Sequence, residues 1–289
     1  MSFGTVYQAL IRKRLYRKGL RSDWITIGKQ KLHALTGDFG GPFGRIVLIH
    51  GLGANSTSLS PLIKRLLPHF QTFTVLDLIG HGLNDDVRED LPFDEIYAAV
   101  EKQLLHYADE ESIALFGTSL GGGFALRFAS KYPELVSQLV LVSPAGAPLT
   151  ATHVDSIRRL FTFSPREGAR PLIKALFHEP PWYGSVISRE LKVAMERPIV
   201  RAILDKLEDV PTLTEAELSA LRMPILLVWG QSERVLPRRA LNWFLTHLPD
   251  QAQVLQPFGY GHSPHLEESA DLARRILHFF SRSHRGTVQ

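Results

Sequence analysis

The sequence predicts an α/β fold in which a mostly parallel central sheet is flanked by helices and interrupted by one helical insertion. Short aliphatic runs bounded by Gly, Asp or Pro alternate with segments whose apolar residues recur every three or four positions. Nearly continuous aliphatic runs are typical of strands covered on both faces, as in parallel sheets with crossover helices. The alternation stops once, over residues 147–220, where only helical patterns occur.

The strands are predicted from short runs rich in Val, Leu and Ile. Six buried strands are expected at residues 45–50, 73–77, 112–116, 138–142, 224–229 and 252–256. Two more polar runs are interpreted as a leading antiparallel pair, at residues 24–27 and 30–36.

The helices are predicted from apolar spacing. Between the strands they are expected at residues 59–67, 93–107, 120–131, 238–248 and 267–281. Within the insertion they are expected at residues 156–162, 168–177, 185–195, 198–207 and 214–221, with an aromatic, proline-rich patch at 177–183. This pattern divides the chain into a first core part (1–146), a helical cap (147–220) and a second core part (221–289). Ligands bind at the carboxyl ends of parallel strands, so a cap inserted there would cover a ligand crevice.

The composition is that of an ordinary globular protein, with 44% apolar and 21% charged residues. The chain has no cysteine, which excludes disulfides and thiolate–metal sites. No run approaches the roughly 20 apolar residues of a membrane span, and basic residues interrupt the N-terminal region early, so we expect a cytoplasmic protein. No motif such as HExxH occurs, and neither a metal nor another cofactor is expected.

The first 22 residues are strongly basic. They carry no acid and six bases, namely Arg12, Lys13, Arg14, Arg17, Lys18 and Arg21. We interpret this segment as a solvated leading helix; the alternative is a weak contact with a membrane surface through Val6, Leu10, Ile11 and Leu15. Nucleic acid is not an expected partner, because no further basic cluster or aromatic–basic ladder accompanies the segment. The sequence pattern does not predict an oligomeric state.

Residues 115–123 contain a Gly-x-Ser-x-Gly motif centred on Ser119, between a predicted strand and a predicted helix. On so tight a turn the serine adopts a strained backbone conformation and presents its hydroxyl above the sheet. Gly117 and Gly121 remove side chains that would collide across the turn. The amide of Leu120 lies at the start of the helix, where it can stabilise an anion. Ser119 is therefore the predicted nucleophile rather than an incidental serine in a glycine-rich turn.

A serine hydroxyl is a weak nucleophile and needs a base, for which His262 is the best candidate. It lies in the loop after the last predicted strand, where Gly259 and Gly261 let the backbone project the imidazole. His265 is a competing base, but it lies where the final helix begins and is interpreted as structural. Glu233 follows the penultimate strand at the same edge of the sheet. It is the predicted acid, which holds the tautomer of the base and stabilises its charged form.

A fourth element follows the strand at residues 45–50, where His50 and Gly51 begin a turn. This turn would bring the backbone amide of Leu52 beside the serine. Together with the amide of Leu120, it would form an oxyanion hole with two donors. His50 is interpreted as a structural residue of the turn rather than as a second base.

These motifs resemble those of the α/β-hydrolase superfamily across essentially the whole chain. The matching stretches are His50 with Gly51, residues 77–82, the turn at Ser119, and residues 132–136, 229–233 and 261–267. The order of nucleophile, acid and base along the chain is that of this superfamily and not that of chymotrypsin or subtilisin. The resemblance implies a triad of Ser119, Glu233 and His262, oxyanion donors at Leu52 and Leu120, and a helical cap at 147–220.

The sequence departs from the family pattern at the acid. Relatives usually carry Asp where Glu233 stands, and the extra methylene lengthens the reach to the histidine. Some relatives place the acid after an earlier strand, but here that position, residues 143–146, has no carboxylate. Asp205 and Asp209, in the predicted cap, are the competing acids.

The resemblance implies acyl transfer to water as the reaction, with a small-molecule carboxylic ester as the substrate. A serine nucleophile excludes the haloalkane dehalogenase and epoxide hydrolase branches, which need a carboxylate at that position. Apolar residues of the cap suggest an apolar acyl or aryl group, unless they only pack the cap helices: Phe161, Phe163, Leu172, Leu176, Phe177 and Trp182.

Two other functions stay open. One is a carbon–carbon hydrolase acting on ring-cleavage products, which uses the same triad. Such relatives often have a tryptophan beside the final histidine motif, where this chain has Leu266. The other is a non-catalytic binder that uses the closed pocket as a receptor, although an intact triad argues against it.

Overall fold

The computed structural model describes residues 3–28, 30–85, 87, 91–109, 111–164, 166–182 and 184–285. Residues 1–2, Tyr183 and residues 286–289, which fall in segments interpreted above, lie outside the described residues. The described residues form eight strands: β1 (Arg21–Ile27), β2 (Gln30–Asp38), β3 (Phe43–Ile49), β4 (Phe70–Leu76), β5 (Ile113–Thr118), β6 (Val136–Val142), β7 (Ile225–Val228) and β8 (Gln253–Leu255).

The helices alternate with these strands along the chain, as the apolar spacing predicts. Those in the described residues are α1 (Phe3–Tyr16), α2 (Ser60–Leu66), α3 (Phe93–Tyr107), α4 (Leu120–Lys131), α5 (Ala151–Phe161), α6 (Arg170–Leu176), α7 (Gly184–Met195), α8 (Pro198–Asp205), α9 (Glu215–Ser219), α10 (Arg238–His247), α11 (Pro264–Glu267) and α12 (Ser269–Arg285). Short 3-10 turns extend several of them, including one at Ser56–Leu59 before α2.

The strands form one twisted sheet in the order β1-β2-β4-β3-β5-β6-β7-β8. The pairs β1–β2 and β2–β4 are antiparallel, and every other neighbouring pair is parallel. The predicted fold class, a mostly parallel sheet with a leading antiparallel pair, is therefore confirmed. Because the strands from β3 to β8 are parallel, their carboxyl ends lie along one edge, and the loops that leave them can meet there.

Helices cover both faces of the sheet. Alternate residues of one strand point to opposite faces, so Leu115 joins one hydrophobic cluster and Phe116 joins the other. One cluster includes apolar residues of α3, α4 and α10. The other includes apolar residues of α1, α2 and α12. Cover on both faces explains why the central strands are almost continuously apolar.

The two terminal helices differ from their predicted form. The leading helix ends at Tyr16, because Gly19 takes a φ of 102° and the chain then enters β1. Ile11 and Leu15, which the alternative interpretation placed on a membrane-contacting face, are buried in the core. The predicted helix at 267–281 corresponds to α12. The short helix α11 precedes it and is separated from it by Glu268, which lies at a φ of −120° and a ψ of 36°.

The insertion between β6 and β7 lies against the loops at the carboxyl edge of the sheet. Met195 of α7 is packed against Gly53 in the loop after β3, and Ile199 of α8 against Gly80 in the loop after β4. The carbonyl of Leu176 in α6 accepts a hydrogen bond of 2.9 Å from the backbone N–H of Ser263 in the loop after β8. α9 packs on α4. The loops that carry the candidate site are therefore covered by α6, α7 and α8.

The crossing of α4 and β3 leaves no room for a side chain at Gly121. A Cβ atom there would overlap the carbonyl oxygens of Ile49 and His50, and backbone atoms cannot turn aside as a side chain can. We expect Gly121→Ala to lower the free energy of unfolding by about 3 kcal/mol. Urea unfolding measures this.

Gly44→Ala is the matched control, because a Cβ atom at Gly44 meets nothing within 4 Å. It should change the stability by less than about 0.5 kcal/mol. Equal effects of the two substitutions would contradict the close approach of α4 to β3.

Candidate active site

Ser119 occupies a strained turn between β5 and α4. Its φ of 53° lies in the left-handed region, which non-glycine residues rarely adopt. The turn is held by a hydrogen bond of 3.0 Å from the Ser119 N–H to the Val142 carbonyl and by one of 2.9 Å from the Ala145 N–H to the Ser119 carbonyl. Leu120 begins α4, so its backbone N–H has no acceptor within the helix and can serve a ligand.

The turn after β3 lies directly beside this serine. A Cβ atom on Gly51 would be 3.1 Å from the Ser119 Cβ, so a larger residue could not approach as closely. The Ala54 N–H donates a hydrogen bond of 3.2 Å to the Gly51 carbonyl, which closes the turn around Leu52. The structure thus brings Leu52 and Leu120 together beside Ser119, and their role as oxyanion donors stays a prediction.

Two buried imidazoles hold this turn against the loop after β4. His50 Nε2 accepts a hydrogen bond of 3.1 Å from the Leu78 N–H, and His81 Nε2 accepts one of 3.1 Å from the Gly53 N–H. Burial lowers the pKa of His50 and lowers that of His81 to about 3. Both rings are therefore neutral and able to accept these bonds, which supports the structural interpretation of His50.

Asp77 is an organising residue to which sequence reasoning gave no role. It is fully buried, and its carboxylate accepts hydrogen bonds from the Ser56 N–H (2.6 Å), the Leu83 N–H (3.3 Å) and His33 Nδ1 (2.6 Å). Burial alone would raise the pKa of Asp77, but the hydrogen bonds from His33 and from the Ser56 N–H are among the interactions that lower it below its usual value. Asp77 therefore ties the turn beside Ser119 to β2 and to its own loop. The sequence signal that could have identified Asp77 is an acidic residue at the end of a buried strand.

Glu233 and His262 form a buried pair at the carboxyl edge, with side chains 2% and 6% exposed. Glu233 Oε2 accepts a hydrogen bond of 2.7 Å from His262 Nδ1, and Oε1 accepts bonds from the N–H groups of Val235 (2.7 Å) and Leu236 (3.0 Å). Burial alone would raise the pKa of Glu233, but the His262 charge and hydrogen bond lower it. An ionised carboxylate has no proton to give, so Nδ1 carries the hydrogen and Nε2 is the basic nitrogen.

Glu267 fixes the loop that carries His262. Its Oε1 accepts a hydrogen bond of 2.5 Å from the Gly261 N–H, and its Oε2 accepts one of 2.7 Å from the His178 N–H. Burial raises the pKa of this carboxyl group, and the two backbone bonds oppose that rise. Glu267 therefore clamps the His262 loop to the segment that follows α6. In the sequence, Glu267 belongs to the family-like stretch at 261–267, but its pattern predicted no role for it.

The residues that compete for the roles of base and acid do not fit those roles in the structure. His265 is buried in α11, its Nδ1 has no hydrogen-bond partner within the described residues, and burial lowers its pKa to about 3. Asp205 and Asp209 are exposed on the insertion. Ser143 is buried at the alternative acid position and offers no carboxylate. The acid that the structure places on His262 is thus Glu233.

A cavity of about 150 Å³ lies beside Ser119. Leu52 and Leu120 line it on the core side, as do Val235 and Leu236, whose amides bind Glu233. The insertion contributes Val154, Ile157, Phe161, Ile203 and Leu204. A mainly apolar cavity of this size is large enough to hold a benzene molecule.

The cavity corrects the expectation about the apolar residues of the cap. Of the six that were predicted, Phe161 alone is among the described residues that line it. Phe177 packs with Ile173 in a separate small cluster, against which Phe163 and Leu176 also lie. Leu172 is fully buried away from the cavity, and Trp182 is 95% exposed. The apolar pattern marked the insertion as packed helices but did not show which side chains face Ser119.

Comparison with known proteins identifies the class. The family model described as alpha/beta hydrolase fold matches residues 44–170, which include the turn after β3 and the turn at Ser119. An uncharacterized protein of Mycobacterium tuberculosis is 30% identical over 80% of this chain and 74% of its own length. The chain belongs to the α/β-hydrolase superfamily.

Two further proteins are similar to this chain, one in sequence and one in structure. A pimeloyl-[acyl-carrier protein] methyl ester esterase of Xanthomonas campestris pv. campestris is 29% identical over 81% of this chain and 94% of its own length. The crystal structure of a proposed lipase of Acinetobacter baumannii AYE has a TM-score of 0.82 at 20% identity, with 97% of both chains covered. The structural likeness shows the fold, and the esterase relative supports a hydrolase.

The buried histidines predict that acid destabilises the protein. A histidine with a usual pKa of about 6.5 in the unfolded chain binds a proton below that pH, whereas folded His265 does so only near pH 3. Between these values the unfolded state binds more protons, so stability falls as the pH falls. We expect His265→Gln to reduce the stability lost between pH 7 and pH 5 by about 2 kcal/mol.

Chemical unfolding across this pH range measures the effect. His106→Gln, at an exposed histidine in α3, is the matched control and should leave the pH dependence unchanged. A His265→Gln variant with the parent's pH dependence would show that His265 takes up its proton in the folded state.

Proposed function

We propose that the protein is a serine hydrolase that cleaves carboxylic esters with apolar acyl or aryl groups. The observation that carries this proposal is the buried pair of Glu233 and His262 at the same sheet edge as Ser119, on its strained turn. A carboxylate that fixes the tautomer of an imidazole is the arrangement that makes histidine a base for a serine. The esterase among the relatives also supports ester hydrolysis.

In the first half of the proposed reaction, Ser119 Oγ attacks the carbonyl carbon of the ester while His262 Nε2 takes the hydroxyl proton. The carbonyl oxygen becomes negative and is stabilised by the backbone N–H groups of Leu52 and Leu120. Glu233 stabilises the imidazolium. The tetrahedral intermediate then collapses, the carbon–oxygen bond to the alcohol breaks, and His262 gives its proton to the departing oxygen.

In the second half, water replaces the alcohol. His262 Nε2 takes a proton from the water, whose oxygen attacks the carbonyl carbon of the acyl-enzyme. The same two amides stabilise the new negative charge. When the bond to Ser119 Oγ breaks, the serine recovers the proton from His262 and the carboxylic acid leaves. The enzyme returns to its starting state without any cofactor.

The cavity supports an apolar acyl or aryl group as the part of the substrate that is recognised. Its walls beside Ser119 are mainly aliphatic, with Phe161 as the aromatic member. Residues 147–220 act in this proposal as a cap that sets the acyl preference and leaves the triad intact.

Within the described residues, no cluster of His, Asp and Glu has the arrangement of a metal site.

Direct assays distinguish the proposed esterase from the two alternatives, a non-catalytic binder and a carbon–carbon hydrolase. A fluorophosphonate probe should label the protein covalently if Ser119 is activated, whereas a non-catalytic binder should stay unlabelled. A panel of esters, thioesters, lactones and vinylogous diketones then distinguishes ester cleavage from carbon–carbon cleavage. Turnover of the diketones alone would replace our proposal by a carbon–carbon hydrolase.

The nucleophile is tested by Ser119→Ala. We expect kcat on a short aryl ester to fall by at least about 10³, because the remaining oxyanion donors can supply only residual catalysis. Ser156→Ala, an exposed serine on α5, is the control and should keep the parent rate. Retained turnover in a folded Ser119→Ala variant, or a probe adduct on another serine, would exclude this site.

The cavity wall is tested by Phe161→Ala and Phe177→Ala. Only the first removes a ring that lines the cavity, so it should shift the preference among p-nitrophenyl esters toward longer acyl chains. Phe177→Ala makes the same chemical change in a separate cluster and should keep the parent ranking. If Phe161→Ala also kept that ranking, the cavity would not be the acyl site.

A further inference from the structure

The helical layer formed by α1, α2 and α12 is strongly basic. The only acid within these three helices is Asp271. Their nine bases are Arg12, Lys13, Arg14, Lys64, Arg65, Arg274, Arg275, Arg282 and Arg285. The turn after α1 adds Arg17 and Lys18. These helices thus have a net charge of +8, although the whole chain carries only +4.

The opposite layer shows no such excess. There, α3, α4, α9 and α10 together contain five bases and five acids. The three basic helices share one hydrophobic cluster, and these four contribute to the other. The charge is therefore concentrated on one face of the molecule, and this asymmetry favours an anionic partner on that face.

α1 also exposes apolar side chains on this face. Val6, Tyr7 and Leu10 are 45%, 52% and 53% exposed. They recur at helical spacing with Arg14 and Arg17, so apolar and basic residues share the outer face of the helix and its C-terminal turn.

The remaining side of α1 anchors the helix to the protein. Ile11 and Leu15 are buried, and both belong to the hydrophobic cluster that also contains residues of α2 and α12. The outward direction of Val6 and Leu10 is therefore fixed by packing and is not the result of a loosely attached terminus.

We infer that this basic layer docks on the surface of an anionic lipid bilayer, with α1 lying in the interface. Phosphate groups of the lipids attract the Lys and Arg side chains, and each base near the surface strengthens the contact. Val6, Tyr7 and Leu10 enter the boundary between head groups and acyl chains, where exposed apolar surface is stabilised. A nucleic acid would satisfy the bases but would give these three side chains no apolar surroundings.

No helix among the described residues is long and apolar enough to cross a membrane. The contact that we infer is with the surface of the bilayer.

The test is sedimentation of the full-length protein with vesicles. Vesicles of phosphatidylcholine containing a quarter phosphatidylglycerol should bind it at least tenfold more tightly than phosphatidylcholine alone at 0.1 M NaCl. Raising the salt to 0.5 M should weaken binding at least tenfold, because added ions screen the attraction. Equal binding to both vesicle types, or no binding to either, would overturn the inference.

Two double variants separate the parts of the surface. Arg14→Glu with Arg17→Glu should lower binding to the anionic vesicles more than tenfold. Val6→Ser with Leu10→Ser should also weaken it, and the loss should persist at low salt. Unfolding temperatures establish that each variant is folded. Unchanged binding of either variant would contradict the role of α1.

The matched control makes the same charge change on the other layer. Arg238→Glu with Arg239→Glu alters two exposed bases of α10 and should reduce vesicle binding far less than the change on α1. An equal loss would show that only the net charge matters. If a short DNA duplex displaced the protein from the vesicles and bound it more tightly than they do, the partner would be nucleic acid and not lipid.

Discussion

A buried carboxylate bound to an imidazole is the interaction on which the candidate site depends. Removing a charge from water is costly unless every acceptor position finds a donor. Glu233 meets that requirement with two backbone N–H groups on one oxygen and His262 on the other. Any shift of the loop after β7 would leave the charge without partners. The same bonds that make the charge tolerable therefore fix the ring of His262 and leave Nε2 as its basic nitrogen.

The same physical solution recurs at the other end of the site. Asp77 is also a fully buried carboxylate, and it holds the turn beside Ser119 through the Ser56 N–H. Two buried charges thus organise the carboxyl edge of the sheet from both sides of β5. The helices α6, α7 and α8 of the insertion then cover the loops at this edge. In the proposed function, this separation of the helical segment from the loops would let the acyl preference vary while the chemistry stays the same.

Local signals in the sequence were sufficient for much of this arrangement. The bounds predicted for α3 and α4 are those of the structure, because clear turn signals flank a strong apolar spacing. The positions of Ser119 between β5 and α4 and of His262 after β8 were also predicted, since glycines around each mark a required backbone geometry. Long-range packing was not readable in the same way. The pattern could not show that Phe161 faces the cavity while Phe177 does not, nor that Ile11 and Leu15 turn inward. Asp77 was missed because its partners come from β2 and from two loops.

The most direct test of the account is kcat for the folded Glu233→Gln variant, beside Glu233→Asp and Asp205→Asn. Gln keeps the shape of the side chain but can present a donor to His262, which favours the wrong tautomer. We expect a loss of about 10³ to 10⁴ in kcat, the size seen when a triad acid becomes an amide. Glu233→Asp keeps the charge and should retain more activity, and Asp205→Asn should match the parent. A Glu233→Gln enzyme with most of the parent kcat, together with an inactive Asp205→Asn enzyme, would show that the acid comes from the insertion.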